Sequence, residues 1–254
     1  MGKVIAITNN KGGCGKTTTA VSLGAALWKS GKKVLLLDLD GQANLTASLR
    51  VKPTKGSTTF DIMYGEAVAD LKPVRVHFEG WGVLDVVPAM HNLSEYTTEN
   101  GQEEDRLERL RAYLDTVAWR SMYDYIIIDT PPALDSLAIS AVVAADACII
   151  TVQPEYLGLY GLTAVSRTLD ELKKNYRVLF TQYDSRKSLH KYCVEQVEQA
   201  GLDTFGVKIR NNVALGEAPV AGQDVFTYAP RCNGAQDYKA LAVEVEQWMQ
   251  KKRK

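Results

Sequence analysis

Neither sign of charge is in excess in this 254-residue chain: Lys plus Arg number 30, Asp plus Glu number 30, and the formal net charge is zero. The basic balance that advertises many nucleic-acid binders is therefore absent, and any such contact has to come from a local patch or from an assembly. The four cysteines, Cys14, Cys148, Cys193 and Cys232, contain no C-x-x-C pair, which excludes the usual zinc and dithiol spacings. There is no long apolar run, and Met1-Gly2-Lys3-Val4 leads straight into a strand pattern, so neither a membrane span nor a signal peptide is expected. Ala6 stands where a myristoylation signal needs Ser or Thr. Repeats, low-complexity tracts and Pro/Gly-rich linkers are lacking too. The expectation is one domain, residues 1–254, in a reducing cytoplasm.

What is present is an alternation of two periodicities. With 46% hydrophobic residues the chain can bury a large core. Lys3–Thr8, Lys33–Leu37, Leu84–Val87, Tyr125–Asp129, Ala147–Val152 and Val178–Thr181 read as strands. Most are continuously apolar, as strands covered on both faces are. Thr17–Lys29, Asp105–Trp119, Ser136–Ala145, Leu159–Asn175 and Leu189–Ala200 have helical spacing, with Gly31 and Gly201 placed to end helices. Residues 52–58 and 91–104 read as loops. The pattern predicts a doubly wound α/β fold, a mostly parallel sheet with helices on both faces.

Between the first strand and the first helix lies Lys11-Gly12-Gly13-Cys14-Gly15-Lys16-Thr17-Thr18. Glycines let backbone N–H groups approach an anion, and the helix N-terminus adds partial positive charge. Lys16 is placed to reach the β- and γ-phosphates of a nucleotide, and the Thr17 hydroxyl to ligate Mg²⁺. The strict phosphate-loop pattern is not met, because Asn10 stands at its first glycine. A second lysine, Lys11, precedes Gly12-Gly13 instead. Cys14 lies beside the helix N-terminus and Lys16, a setting that can lower a thiol pKa; the plainer reading is a small tolerated side chain. Two aspartates, Asp38 and Asp40, close the Val34–Leu37 strand on one face. Their plainer reading is a cap on the Ala43–Leu49 segment. Tyr123-Asp124-Tyr125-Ile126-Ile127-Ile128-Asp129-Thr130-Pro131-Pro132 is a buried strand ending in a carboxylate.

K-G-G-x-G-K-[ST]-[ST] resembles the deviant phosphate loop of the ParA/MinD family, and Asp38-Leu39-Asp40-Gly41-Gln42-Ala43-Asn44 resembles its D-x-D-P-Q-x-N, with Gly41 for the proline. The resemblance runs from Lys3 to about Val245. It implies an ATPase of the P-loop fold with ATP and Mg²⁺ as cofactors and a slow intrinsic rate. It implies Lys11, Lys16 and Asp40 as catalytic residues, Lys11 reaching the nucleotide of a partner and Asp40 orienting water. Thr17, Asp38 and Asp129 belong to the Mg²⁺ site. Glycines Gly12, Gly13 and Gly15, with Cys14 and Thr18, complete the nucleotide loop. Glu155, in Val152-Gln153-Pro154-Glu155-Tyr156-Leu157-Gly158, is implied to face the partner's nucleotide; alone it reads equally well as an exposed helix-start glutamate.

Thr181-Gln182-Tyr183-Asp184 stands where related GTPases carry T-K-x-D, and Gln182 for lysine argues against guanine. Ile209-Arg210-Asn211-Asn212-Val213-Ala214-Leu215-Gly216-Glu217-Ala218-Pro219 resembles the ParA segment I-P-R-N-V-R-L-S-E-A-P, with Arg210 for proline, Asn211 for arginine and Ala214 for the second arginine. Gln182, Arg210 and Asn211 are candidates to meet the base. The resemblance is to small ParA proteins, with features of those on mobile elements. It implies an ATP-dependent homodimer, non-specific DNA binding, a ParB-like activating partner and association with the nucleoid. Lys208, Arg210, Arg231, Lys239 and the tail Lys251–Lys254 are the candidate phosphate contacts. No N-terminal helix-turn-helix is expected. Two alternatives have weaker support in the residues. A MinD-like membrane surface would use the amphipathic helix around Tyr238, Leu241, Val245 and Trp248, whose Glu244 and Glu246 oppose anionic lipid. An electron-transfer relative would need cluster cysteines, and Cys148 reads as a buried small hydrophobe without a ligand partner.

Overall fold

The computed structural model describes residues 1–65, 71–78, 82–91, 93, 103–116 and 118–250; the basic tail and most of the 91–104 stretch lie outside them. In chain order the elements are β1 (Lys3–Thr8), α1 (Lys16–Lys29), β2 (Val34–Asp38), α2 (Asn44–Ser48), α3 (Thr59–Tyr64), β3 (Val74–Phe78) and β4 (Gly82–Val87). There follow α4 (Glu103–Thr116), α5 (Trp119–Met122), β5 (Tyr125–Asp129), α6 (Ser136–Ala144), β6 (Ala147–Val152), α7 (Tyr156–Glu171) and β7 (Asn175–Phe180). The last four are α8 (Ser188–Gln199), α9 (Val213–Ala221), α10 (Val225–Tyr228) and α11 (Asn233–Gln250).

The strands form one seven-stranded sheet in the order β3-β4-β2-β5-β1-β6-β7. Every pairing is parallel except β3 with β4. Continuous apolar runs follow from burial on both faces. Val4, Ala6, Leu35, Leu37, Ile126 and Ile128 point to the side covered by α4, α6, α7 and α8. Their neighbours Ile5, Ile7, Val34, Leu36 and Ile127 point to the side of α1, α10 and α11. The doubly wound sheet expected from the pattern is the one observed. The chain leaves β1 toward β2 on one side and later returns to β6 on the other. A crevice at the carboxyl ends of the strands is where such sheets bind ligands.

The expected strands and helices are all present, with differences that have local causes. β3 was not anticipated, although V-R-V-H-F alternates; it is an edge strand, with Arg75 paired to Asp85 across it at 3.1 Å. Helix α7 begins at Tyr156 and stops at Glu171, well before Asn175. Lys173 adopts a left-handed φ of 52° there, and Lys174 N–H bonds back to the Leu169 carbonyl. That is the helix stop usually built on glycine; here a lysine makes it. By contrast Gly31 and Gly201, which were expected to end α1 and α8, have φ of 90° and 76°. The helix read through to Trp119 breaks after Thr116, because Trp119 turns into the core against Tyr113.

Leu36 is fully buried against α1. Leu36→Ala should lower unfolding free energy by about 2–5 kcal/mol in urea titration. Val243→Ala, at a side chain that is 53% exposed on α11, should change it by less than about 0.5 kcal/mol.

Candidate functional site

The phosphate loop joins β1 to α1. Gly13 and Gly15 take φ of 72° and 83°, angles that L side chains adopt at a cost. Gly15 is the N-cap of α1 and has no side chain to cap the helix, so the first N–H groups of α1 face outward. The loop's carbonyls are held from outside. Gln153 and Gln182 both donate to the Gly13 carbonyl, at 3.0 and 2.9 Å, and the Thr181 hydroxyl donates to the Cys14 carbonyl at 2.9 Å. Carbonyls tied outward leave the amides for an anion. Buried Lys16 donates to the Lys11 carbonyl at 3.0 Å. The adjoining cleft, of about 340 Å³, is lined by Gly12, Gly13, Lys16, Thr17 and Asp40 among others.

Asp38 and Asp129 end adjacent parallel strands in register, and both are fully buried. Asp38 accepts from the Thr46 N–H at 2.8 Å, from the Thr46 hydroxyl at 2.6 Å and from the Asp40 N–H at 3.2 Å. Asp129 Oδ2 accepts from the Thr17 hydroxyl at 2.6 Å. Its Oδ1 has no hydrogen-bond partner among the described residues. Burial pushes Asp38 up from its ordinary 3.8 to about 6, against the pull of the Thr46 bonds. Burial and the neighbouring Asp38 carboxylate push Asp129 well above its usual range. Asp40 is 5% exposed and accepts from Gln42 N–H at 2.9 Å. A second hollow, of about 320 Å³, shares Gly15, Thr18 and Gln182 with the cleft and is walled by Arg210, Asn211 and Tyr238.

A family model described as an AAA domain matches residues 2–181. The chain is 38% identical to "Chromosome partitioning protein ParA" of Caulobacter vibrioides, over 96% of this chain and 93% of that protein. It is 41% identical to "Sporulation initiation inhibitor protein Soj" of Bacillus subtilis, over 96% of this chain and 98% of that protein. The chain belongs to the ParA/MinD family of ATPases. A solved neighbour, the septum site-determining protein MinD of Pyrococcus horikoshii complexed with Mg-ADP, superposes with a TM-score of 0.80 at 25% identity, covering 98% of each chain.

The residues singled out in the sequence of this ParA/MinD-family chain fall in two adjoining places. The loop and Asp40 line one cleft, the buried Asp129 touches it through the Thr17 hydroxyl with Asp38 beside it, and Gln182, Arg210 and Asn211 line the adjoining hollow. The capping alternative holds in part for Asp38, which accepts from the third N–H of α2, and not for Asp40. Cys14 is 1% exposed, its thiol donating to the Lys11 carbonyl at 3.1 Å, as a small packed side chain would. Cys148 is fully buried, which pushes its thiol up to about 12. Lys11 lies 3.3 Å from Glu155 within the same chain. Arg210 is tied to Asp237, whereas Lys208, Arg231 and Lys239 have no ion-pair partner among the described residues. Four positioning residues were missed: Gln153, Thr181, Thr46 and Asp237. Only their position just after a strand, for the first two, marked them in advance.

No cluster of three or more His, Cys, Asp or Glu side chains arranged to hold a metal exists among the described residues. Mg²⁺ needs none, since it commonly binds through one or two carboxylates plus phosphate oxygens and water. The unsatisfied Asp129 Oδ1, beside the Thr17 hydroxyl and the raised Asp38, fits a cation. Without one, the pair costs stability. Both pKa values are higher in the folded state, so between about pH 4 and at least pH 6 these two carboxyls hold more protons in the folded chain than in the unfolded one. Stability in EDTA should therefore fall as pH rises through that window. Asp129→Asn should flatten that fall in thermal melts from pH 4.5 to 7.5; an unchanged slope would count against the coupled pair.

Proposed function

We propose that this chain is a single-domain ATP-driven switch for DNA partition, using Mg²⁺. ATP binding makes a homodimer, the dimer binds DNA without sequence preference, and a ParB-like partner stimulates hydrolysis. The observation that carries the reading is the meeting of Lys16, Thr17 and Asp40 on one cleft at the uncapped N-terminus of α1, with the buried Asp38/Asp129 pair behind it and joined to it by the Thr17–Asp129 bond. Lys16 and the loop amides bind the β- and γ-phosphates. Thr17 and Asp129, with Asp38 behind them, hold Mg²⁺, which neutralises phosphate charge when bound. Asp40 orients the water that attacks the γ-phosphorus, and ADP leaves.

Lys11 is the residue that senses a second copy. Its pair with Glu155 is partly exposed, with side chains 31% and 55% accessible, and such pairs are worth only about 0–1 kcal/mol. Little free energy resists its swing toward a partner's nucleotide. Glu155 is released by the same movement and faces the same interface. Tyr156, Leu157 and Tyr160 at the start of α7 are exposed, at 65%, 68% and 68%, and extend an apolar surface from Glu155.

A membrane-surface role has less support. Tyr238, Leu241, Val245 and Trp248 of α11 are buried in the core. Among the described residues no helix is long and apolar enough to cross a membrane.

The deciding test uses Asp40→Ala, which should keep the phosphate contacts and lose water positioning. With ATP it should form a long-lived dimer that binds random-sequence DNA, and with ADP it should not. For about four phosphate contacts, affinity should drop about a hundredfold between 50 and 200 mM salt. A dimer in ATP that ignores DNA would move the partner to a membrane or a protein. Lys11→Ala should leave ATP binding by the monomer intact and lose partner-stimulated turnover in a phosphate-release assay.

A further inference from the structure

The wall of the second hollow is held by a residue that does not line it. Asp237 on α11 is 8% exposed. One of its oxygens accepts from Arg210 Nη2 at 2.6 Å, both accept from Nε at 3.1 and 3.0 Å, and Oδ2 also accepts from the Arg210 backbone N–H at 2.9 Å. A carboxylate that grips guanidinium and backbone of one residue fixes both side chain and main chain. The segment so gripped is also tied to the end of β7: Tyr183 N–H donates to the Ile209 carbonyl at 2.9 Å, and Asn211 N–H donates to the Tyr183 carbonyl at 3.0 Å. Residue 182, next in line, reaches the phosphate loop through the Gly13 carbonyl.

The neighbouring residue of α11 lines the hollow itself. Tyr238 lines the hollow, and its hydroxyl lies 3.0 Å from the Thr19 hydroxyl on α1, one residue past Thr18. The dipeptide Asp237-Tyr238 therefore touches the hollow twice, Tyr238 directly and Asp237 through Arg210. Arg210 stands where the resembled pattern has proline. Proline stiffens a chain by fixing φ; here an ion pair supplies the constraint from α11.

The geometry points to Asp237 as a positioning residue for nucleotide selection, acting through Arg210 and the 209–212 segment on the base and not on the phosphates. This rests on the ATP-binding reading above. Removing the charged grip should weaken ATP binding about tenfold and leave the phosphate subsite intact.

The test is calorimetric titration of wild type, Asp237→Ala and Arg210→Ala with Mg-ATP and with Mg-tripolyphosphate, which has no base. Arg210→Ala removes the pair from its exposed end, so it reports even if Asp237→Ala folds poorly. The expected result is about tenfold weaker ATP binding in the variants, with tripolyphosphate unchanged. Unchanged ATP affinity would overturn the inference, and so would an equal loss for both ligands. If wild type itself binds no ATP, the ATP reading fails first, and this inference with it.

Discussion

Two carboxylates in register at the ends of β2 and β5 set the terms for everything around them. Asp38 and Asp129 are fully buried, and among the described residues neither forms an ion pair. Raising Asp38 from 3.8 to about 6 corresponds to on the order of 3 kcal/mol disfavouring the ionised form. A protein that needed only stability would place apolar or paired groups there. The cost is explained if the site is built for a charge that arrives with the ligand. Thr46 lowers the cost at Asp38 with two bonds, while one oxygen of Asp129 is left unsatisfied. That asymmetry leaves Asp129, bonded to Thr17 at the cleft, as the carboxylate with an oxygen to spare.

The phosphate loop depends on elements distant in sequence. Gln153 follows β6 and Gln182 follows β7, yet both end on the Gly13 carbonyl. Helix α7 comes close enough to help because Gly158 has no side chain; a Cβ there would lie 2.3 Å from the Gln153 carbonyl oxygen. Glu155, at the N-cap of α7, also meets Lys11. Movement of α7 at a dimer interface would thus be felt at Gly13 and Lys11 together. Contacts of this kind let one switch element bias another without a long pathway.

Much of this was legible in the sequence because its signals were local. The glycine-lysine loop, the apolar strands and the strand-terminal aspartates each declare themselves within a few residues. What escaped depended on partners far away or on residues in unusual roles. Lys173 ends α7 in a left-handed conformation that the sequence would announce only with glycine. Thr46 and Asp237 look like ordinary helix residues until the fold brings Asp38 and Arg210 to them. Strand β3 is short and half exposed, so its alternation carried little weight beside the continuous runs of the central strands.

The neutral composition and the proposed DNA role are reconciled by the same accounting of partners. Arg186 is spent on Asp184 and Arg210 on Asp237, so neither offers a full charge to phosphate. Lys208, Arg231 and Lys239 keep theirs among the described residues. With no net charge on the chain, a monomer is weakly attracted to DNA, and each phosphate contact contributes separately through counterion release. In a homodimer the number of contacts doubles, and the salt-dependent term in log K doubles with it. Under the proposed switch, a chain with no net charge would distinguish monomer from dimer better than a basic one. Excess charge would hold the monomer on DNA as well, and ATP-driven dimerisation would then control little.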